Sequence, residues 1–292
     1  MKQILCILSA LLLTTIGYAQ YSDDIIQAKA LDGELKEKGQ VSSDVRYRMS
    51  VPVQMAAGDQ LLIECKSTEF VLGIGISDAT GFQTRKEDDP MFFKSIGSKL
   101  TIPFNCKKSG AYNIVIYAKQ EDAKGHFNAK IFYYNSGANK VSSSSSFCDR
   151  LKFIIANSPS GYQFINAGSA GFMYKPSFYL FPGTYSTIFT NTGGQYLCTV
   201  ANTTDQGSLN RKFDELESNL ASCLVGHKKN IYTSETVNES EKKDFIRRVE
   251  FYLPGTNPVD INSGHINNIV DLIVLRLDKD GADKFKLRIE VH

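Results

Sequence analysis

Tryptophan is missing from the 292-residue chain, and histidine is scarce, with four in all. The four histidines (His126, His227, His265 and His292) are scattered, and no C-x-x-C pair occurs. That leaves zinc and thioredoxin-type redox sites with little to build on. The nucleophile elbow G-x-S-x-G, the zinc-protease H-E-x-x-H and the phosphate-binding G-x-x-x-x-G-K-[ST] are all absent. Ser240-Glu241-Lys242-Lys243 fits S-x-x-K, but its partner motifs are missing. The sequence therefore points to no catalytic residue and no cofactor. Excess charge is lacking too. The net charge is +2, and the charges are mixed along the chain without a basic stripe, which argues against nucleic-acid binding.

The N-terminus is different. Lys2 precedes an apolar run from Ile4 to Ile16, and Gly17-Tyr18-Ala19 places small residues where a signal peptidase reads. A cleaved export signal is expected, with the cut after Ala19. As a helix, the run of about 13 residues spans roughly 20 Å, short of the roughly 30 Å of a hydrocarbon core. Stable membrane insertion is not expected. Cys6 lies inside the run without a lipobox, so lipidation is not expected either. A periplasmic or secreted protein is the reading, and such a compartment permits disulfides. Removing 19 of 292 residues leaves 273, enough for two ordinary domains.

Residues 31–134 alternate with period two. Tyr47, Met49, Val51 and Val53 make one inward set, and Leu61, Ile63 and Cys65 the next, after a Gly58-Asp59 turn. Val71 to Ile76 is a further strand, ended by Asp78-Ala79-Thr80-Gly81. Leu100, Ile102, Phe104 and Cys106 follow, then Tyr112, Ile114 and Ile116 beyond Ser109-Gly110, then Phe127, Ala129, Ile131 and Tyr133. Short strands at this spacing predict an antiparallel β-sandwich, jelly-roll-like. The Ser-rich segment 135–146 reads as a flexible linker whose last serine can cap a helix.

Residues 147–292 read as a two-layer α+β domain. Phe147, Leu151, Ile154 and Ile155 mark one amphipathic helix, ended by Ser158-Pro159. Leu209, Phe213, Leu216, Leu220 and Leu224 mark a second, stopped by Gly226. Strands are expected near Phe178–Phe181, Tyr185–Thr190, Tyr196–Val200, Phe245–Leu253, Ile269–Leu277 and Phe285–Val291. The last two should form a hairpin about Asp278-Lys279-Asp280-Gly281.

Five cysteines follow the leader, an odd number, so one thiol stays free or pairs between molecules. Cys65 and Cys106 share the inward phase. They are either a disulfide closing a loop of about 41 residues, worth roughly 4 kcal/mol, or two buried thiols. Cys198 and Cys223 could close a loop of about 25 residues, worth roughly 3 to 4 kcal/mol. Cys148, the expected free thiol, could replace either partner. It opens the first helix, but no histidine is placed to make it a nucleophile.

Glu87, Asp88 and Asp89 are either three oxygen ligands for calcium or a solvated loop. Asp278, Asp280 and Asp283 resemble part of a calcium loop, but the remaining ligands are missing and a hairpin turn explains them better. Phe172, Tyr174, Phe178, Tyr179, Phe181 and Tyr185 crowd one segment, as core packing or as a stacking platform for sugars or peptides. Asn202 and Asn238 open glycosylation sequons, which matter only on a eukaryotic secretory route.

One family resemblance goes with these residues. The succession Tyr47-x-Met49-x-Val51, Ala57-Gly58-Asp59-x-Leu61-x-Ile63, Ser77-Asp78-x-x-Gly81 and Ser109-Gly110-x-Tyr112-x-Ile114-x-Ile116 resembles the bacterial pre-peptidase C-terminal domain. That family is a small β-sandwich found beside secreted peptidases and other exported proteins. The resemblance covers about residues 31–134 and implies a non-catalytic accessory module. Where the family carries an Asp at the start of the middle strand, this chain has Glu69-Phe70-Val71, so no ligand role is carried over. Residues 147–292 carry no family resemblance.

Taken together, the sequence reads as an exported, non-catalytic bacterial envelope protein that binds a protein or glycan partner. The alternatives are a secreted hydrolase with a site hidden in the second domain, and a structural protein that self-associates, with the odd cysteine joining subunits.

Overall fold

In the computed structural model the described residues are 26–41, 44–85, 99–170, 173–189, 194–232, 245–253, 272–281 and 284–292. They fall into two compact units, one ending at Ala138 and one running from Asn139 to His292. Among the described residues the architecture is mainly β with two α-helices, as the alternation required.

The first unit is an antiparallel β-sandwich. One sheet is ordered β1 (Ile26–Leu35), β9 (Gly125–Tyr134), β4 (Gln60–Lys66), β7 (Leu100–Asn105). The other is ordered β2 (Glu37–Val41), β3 (Asp44–Met55), β8 (Gly110–Ala118), β5 (Leu72–Asp78), β6 (Gly81–Arg85). Ile63, Ile102 and Ile131 from the first sheet and Ile74, Ile76, Ile114 and Ile116 from the second share one core. These are the inward positions expected from the period of two. The polar strands β1 and β2 were not expected. Their burial is sparse, so alternation could not reveal them.

Asp59 pins one end of the sandwich. Its backbone turn needs Gly58 at φ +94°, a conformation that favours glycine. The Asp59 carboxylate accepts from Ala56 N (2.7 Å), Ser136 N (2.9 Å), Ser136 Oγ (2.9 Å) and the Tyr133 hydroxyl. Burial alone would raise its pKa. The bonds from Tyr133, Ala56 and Ser136 outweigh it and hold the carboxyl below its usual value. The β3–β4 turn is thereby tied to the end of β9.

Within the Ser-rich segment, residues 142–145 form a hydrogen-bonded turn. Ser145 N donates to Ser142 O, and Arg150 Nη1 donates to the carbonyls of Ser143 (2.9 Å) and Ser145 (2.6 Å). Arginine's rigid fork satisfies both carbonyls. Ser146 caps α1 (Phe147–Asn157) through Asp149 N, as expected.

The second unit is one eight-stranded antiparallel sheet with helices against it. The order is β10 (Asn166–Ala170), β11 (Met173–Pro176), β12 (Tyr185–Phe189), β13 (Gln195–Thr203), β17 (Phe285–Val291), β16 (Ile273–Lys279), β15 (Phe245–Tyr252), β14 (Lys228–Tyr232). Helix α2 (Gln206–Cys223) buries the expected stripe of Leu209, Phe213, Leu216 and Leu220. The β16–β17 hairpin forms as expected, from Ile273↔Val291 to Lys279↔Phe285. Phe178–Phe181 is not a strand. Phe178 packs edge-on against Phe153 (4.9 Å) and Phe181 stacks on Phe147 (5.2 Å), so both rings serve α1 instead of alternating across a sheet. Tyr162, the one non-glycine residue at positive φ among the described residues, is held there by full burial and a 2.6 Å bond to Val291 O.

The cysteine pairing differs from both expected bridges. Cys148 is not free: it bonds Cys223, with Cα atoms 5.1 Å apart. Cys65, Cys106 and Cys198 are free and buried. Register explains the first correction. Cys65 sits opposite Leu100, so Cys106 lies six positions further on, about 20 Å along the ladder and far beyond disulfide reach. For the second, β13 advances about 17 Å from Cys198 to its end, whereas α2 is about 27 Å long and carries Cys223 past Cys198 to the start of α1.

Candidate binding cleft

A cleft of about 390 Å³ opens at one end of the sandwich. Its size falls near the low end of small-ligand sites, which run from about 300 to 1,000 Å³. One wall is the β5–β6 turn, where Asp78 Oδ1 accepts from Thr80 N (2.7 Å) and Thr80 Oγ1 (2.6 Å). Aspartate forms such turns readily because its side chain imitates a backbone carbonyl. The floor comes from Phe104 and Tyr112, whose ring centroids are 5.7 Å apart. Both rings are almost wholly buried, so they present edges and no stacking face.

The opposite wall is the β7–β8 turn with Lys107 and Lys108, both exposed. This turn is held from beneath. The Lys108 carbonyl accepts from the Tyr112 hydroxyl (2.6 Å) and Cys106 Sγ (3.1 Å). Ala57 N donates to Ser109 Oγ (2.9 Å), and Cys106 N donates to Asp59 O (2.8 Å). The hydrogen bond with Cys106 and burial push the Tyr112 hydroxyl above its usual pKa, so it stays a neutral donor. The lysine side chains are thus carried on a rigid loop. Among the described residues, no ion pair engages either of them.

The second unit concentrates charge on the sheet face opposite α2. Strand parity sets this face. Arg247 lies over the Phe213 ring of α2 at 4.1 Å, so Arg248 and Glu250 point the other way. Arg248 pairs with Glu250, which is fully buried and also accepts from the Tyr232 hydroxyl at 2.5 Å. Burial and that bond push Tyr232 up to about 12. On β16 and β17, Arg276 Nε donates to both Asp278 oxygens (2.8 and 2.7 Å), and Arg288 lies 3.1 Å from Asp278 and 2.8 Å from Glu290. Burial raises Asp278 despite both arginines. For Glu290 burial also pushes up, but His292 and Arg288 prevail and lower it. Each carboxylate is matched by a cation, which is how charge survives burial.

The other candidates are placed as follows. Asp280 accepts from Asn202 Nδ2 (2.8 Å) and Lys286 (3.3 Å), and Asp278 is held by arginines, so both carboxylates are engaged by donors of the protein. Glu87, Asp88, Asp89, Asp283, Ser240, His265, Phe172, Asn238 and the leader lie outside the described residues. Of the aromatic segment, Tyr185 is 65% exposed, while Phe178 and Phe181 pack on α1. Among the described residues, no group of three His, Cys, Asp or Glu is arranged to hold a metal ion, and no helix is long and apolar enough to cross a membrane. The lysines of the cleft were missed from sequence. Two cations in a turn before Gly110 are ordinary, and only the fold brings the Asp78 turn opposite them. The charged ladder was legible in the spacing Arg276-x-Asp278 and Arg288-x-Glu290-x-His292, but not its burial.

Comparison with known proteins adds little. No protein family and no curated protein matches the chain. Two solved structures are distant likenesses. One is Aeromonas hydrophila PliG, a periplasmic inhibitor of g-type lysozyme, with 11% identity and a TM-score of 0.26, over 36% of this chain and 85% of that one. The other is the pre-peptidase C-terminal domain of collagenase from Bacillus anthracis, with 13% identity and a TM-score of 0.25, over 35% of this chain and 87% of that one. At these scores no role is transferred from either.

Proposed function

We propose that this is an exported, non-catalytic bacterial envelope protein whose sandwich binds a protein or glycan partner outside the cytoplasm. In this reading residues 1–19 are a leader removed after Ala19, 31–134 the interaction module, 135–146 the connector and 147–292 an accompanying α+β domain. The mature protein sits in the periplasm or is secreted. The cleft between the Asp78 turn and the Lys107-Lys108 turn carries the proposal. The loop that carries its lysines is already fixed, because the Tyr112 hydroxyl and the Cys106 thiol both donate to Lys108 O, and Asp78 Oδ1 accepts from Thr80 in the facing turn. The disulfide between Cys148 and Cys223 supports an oxidising compartment. Covalent self-assembly is not favoured, because Cys65, Cys106 and Cys198 are all buried.

The test is affinity capture from envelope extract with the full mature chain and with a cleft-filling variant, Asn105→Trp. One partner retained by the first and lost by the second is expected. Equal capture by both would remove the cleft from the function. Cell fractionation tests the export step. Protein found in the cytosol with residues 1–19 still attached would overturn it.

A further inference from the structure

Resting on the binding role just proposed, we infer that the cleft recognises a carboxylate-bearing peptide segment of a partner protein, through Lys107 and Lys108. Three observations carry this. The first is charge. Both lysines are exposed, and no ion pair among the described residues engages either one. The one carboxylate lining the cleft among the described residues, Asp78, accepts two bonds from Thr80 in its own turn and forms no ion pair with either lysine. The Lys107-Lys108 turn therefore carries two charges that no carboxylate among the described residues pairs with, and complementarity calls for a ligand that brings one.

The second is preorganisation. A lysine on a mobile loop loses binding free energy to ordering. Here the loop backbone is already fixed, because Lys108 O is bonded by two buried side chains and Cys106 N by Asp59 O. Only the lysine side chains remain to be ordered.

The third separates peptide from glycan. Sugars are held by open aromatic faces, and here Phe104 is 8% and Tyr112 4% exposed, so no face is offered. What the cleft does offer is polar groups for a peptide: the Asn105 side chain and the β7 edge, since among the described residues β7 is the last strand of its sheet.

The experiment uses the full mature chain and a fluorescein-labelled peptide of alternating glycine and glutamate. Its glutamine counterpart and a labelled oligogalacturonate are run beside it, and binding is read by anisotropy at low and high salt. The acidic peptide should bind tightest, and weaken with salt. Each exposed pair adds modestly, so Lys107→Ala with Lys108→Ala should weaken binding by about fivefold, and the Glu double variant by more. Because both positions are exposed, the variants should melt with the parent, which thermal unfolding checks. Equal binding of the glutamate and glutamine peptides overturns the inference, as does unchanged affinity in the double variants. Preference for the oligogalacturonate overturns the peptide assignment. None of these results disturbs the broader binding role; partner capture left intact by Asn105→Trp would instead remove the cleft from it.

Discussion

Reducing the Cys148–Cys223 bond should loosen the second unit by an amount that can be worked out. The two residues are 75 apart in sequence. In the chain-entropy account, closing a loop of that size removes about 15 cal/mol/K from the unfolded ensemble, or about 4.5 kcal/mol at room temperature. For a unit of this size, each kcal/mol moves the melting midpoint by roughly 2–4 °C, so the shift should be roughly 9–18 °C. The native state keeps most of its packing, because the bond joins the start of α1 to the end of α2 and neither helix stripe depends on it. The assay is calorimetry of the oxidised protein, the reduced protein and the variant Cys148→Ser with Cys223→Ala. Reduced protein and variant should melt together, below the oxidised form. A shift under about 3 °C would refute the entropic reasoning, since it corresponds to only about 1 kcal/mol. Peptide mapping without reductant provides the sharper check. A cross-linked peptide joining Cys198 to Cys223 would refute the connectivity itself.

Three further outcomes are expected. Asp59→Ala strands the donors of Ala56, Ser136 and Tyr133 and should destabilise the sandwich by about 3–5 kcal/mol in urea titration. Because the Asp59 carboxyl is held below its usual value, its contribution is present at neutral pH and lost as pH falls below about 4, so the parent should lose more stability on the acid side than the variant does. Removing one partner of the buried Arg248–Glu250 pair, as in Arg248→Ala, should cost about 3–5 kcal/mol, whereas Arg248→Met with Glu250→Leu should cost far less; equal losses would contradict the desolvation argument. Thiol titration of the native mature protein should find Cys65, Cys106 and Cys198 unreactive. Burial pushes the Cys65 thiol up to about 12 and raises Cys198, and all three should react once denaturant is added.

The core of the sandwich was legible because one face of each strand is apolar and the other is not. Positions such as Ile63, Ile102, Ile114 and Ile131 announce themselves by a period of two. Both helices were legible for the same reason at a period near four, and the β16–β17 hairpin by its turn residues. The polar edge strands β1 and β2 were not, since a strand with little buried surface leaves no alternation. The aromatic cluster misled toward a strand at Phe178–Phe181 because ring-rich runs suit sheets and helix-covering loops equally well.

Hydrophobic period is a local property, written into consecutive residues, and so the elements with one apolar face, in the sandwich and in the α+β sheet alike, follow from the sequence by itself. Which cysteine meets which is not local. It depends on strand register and helix length, and these separate Cys65 from Cys106 while bringing Cys148 to Cys223. The cleft belongs to the same class. Lys107, Lys108 and Asp78 are unremarkable turn residues until two sheets stack, and only that packing sets their turns face to face.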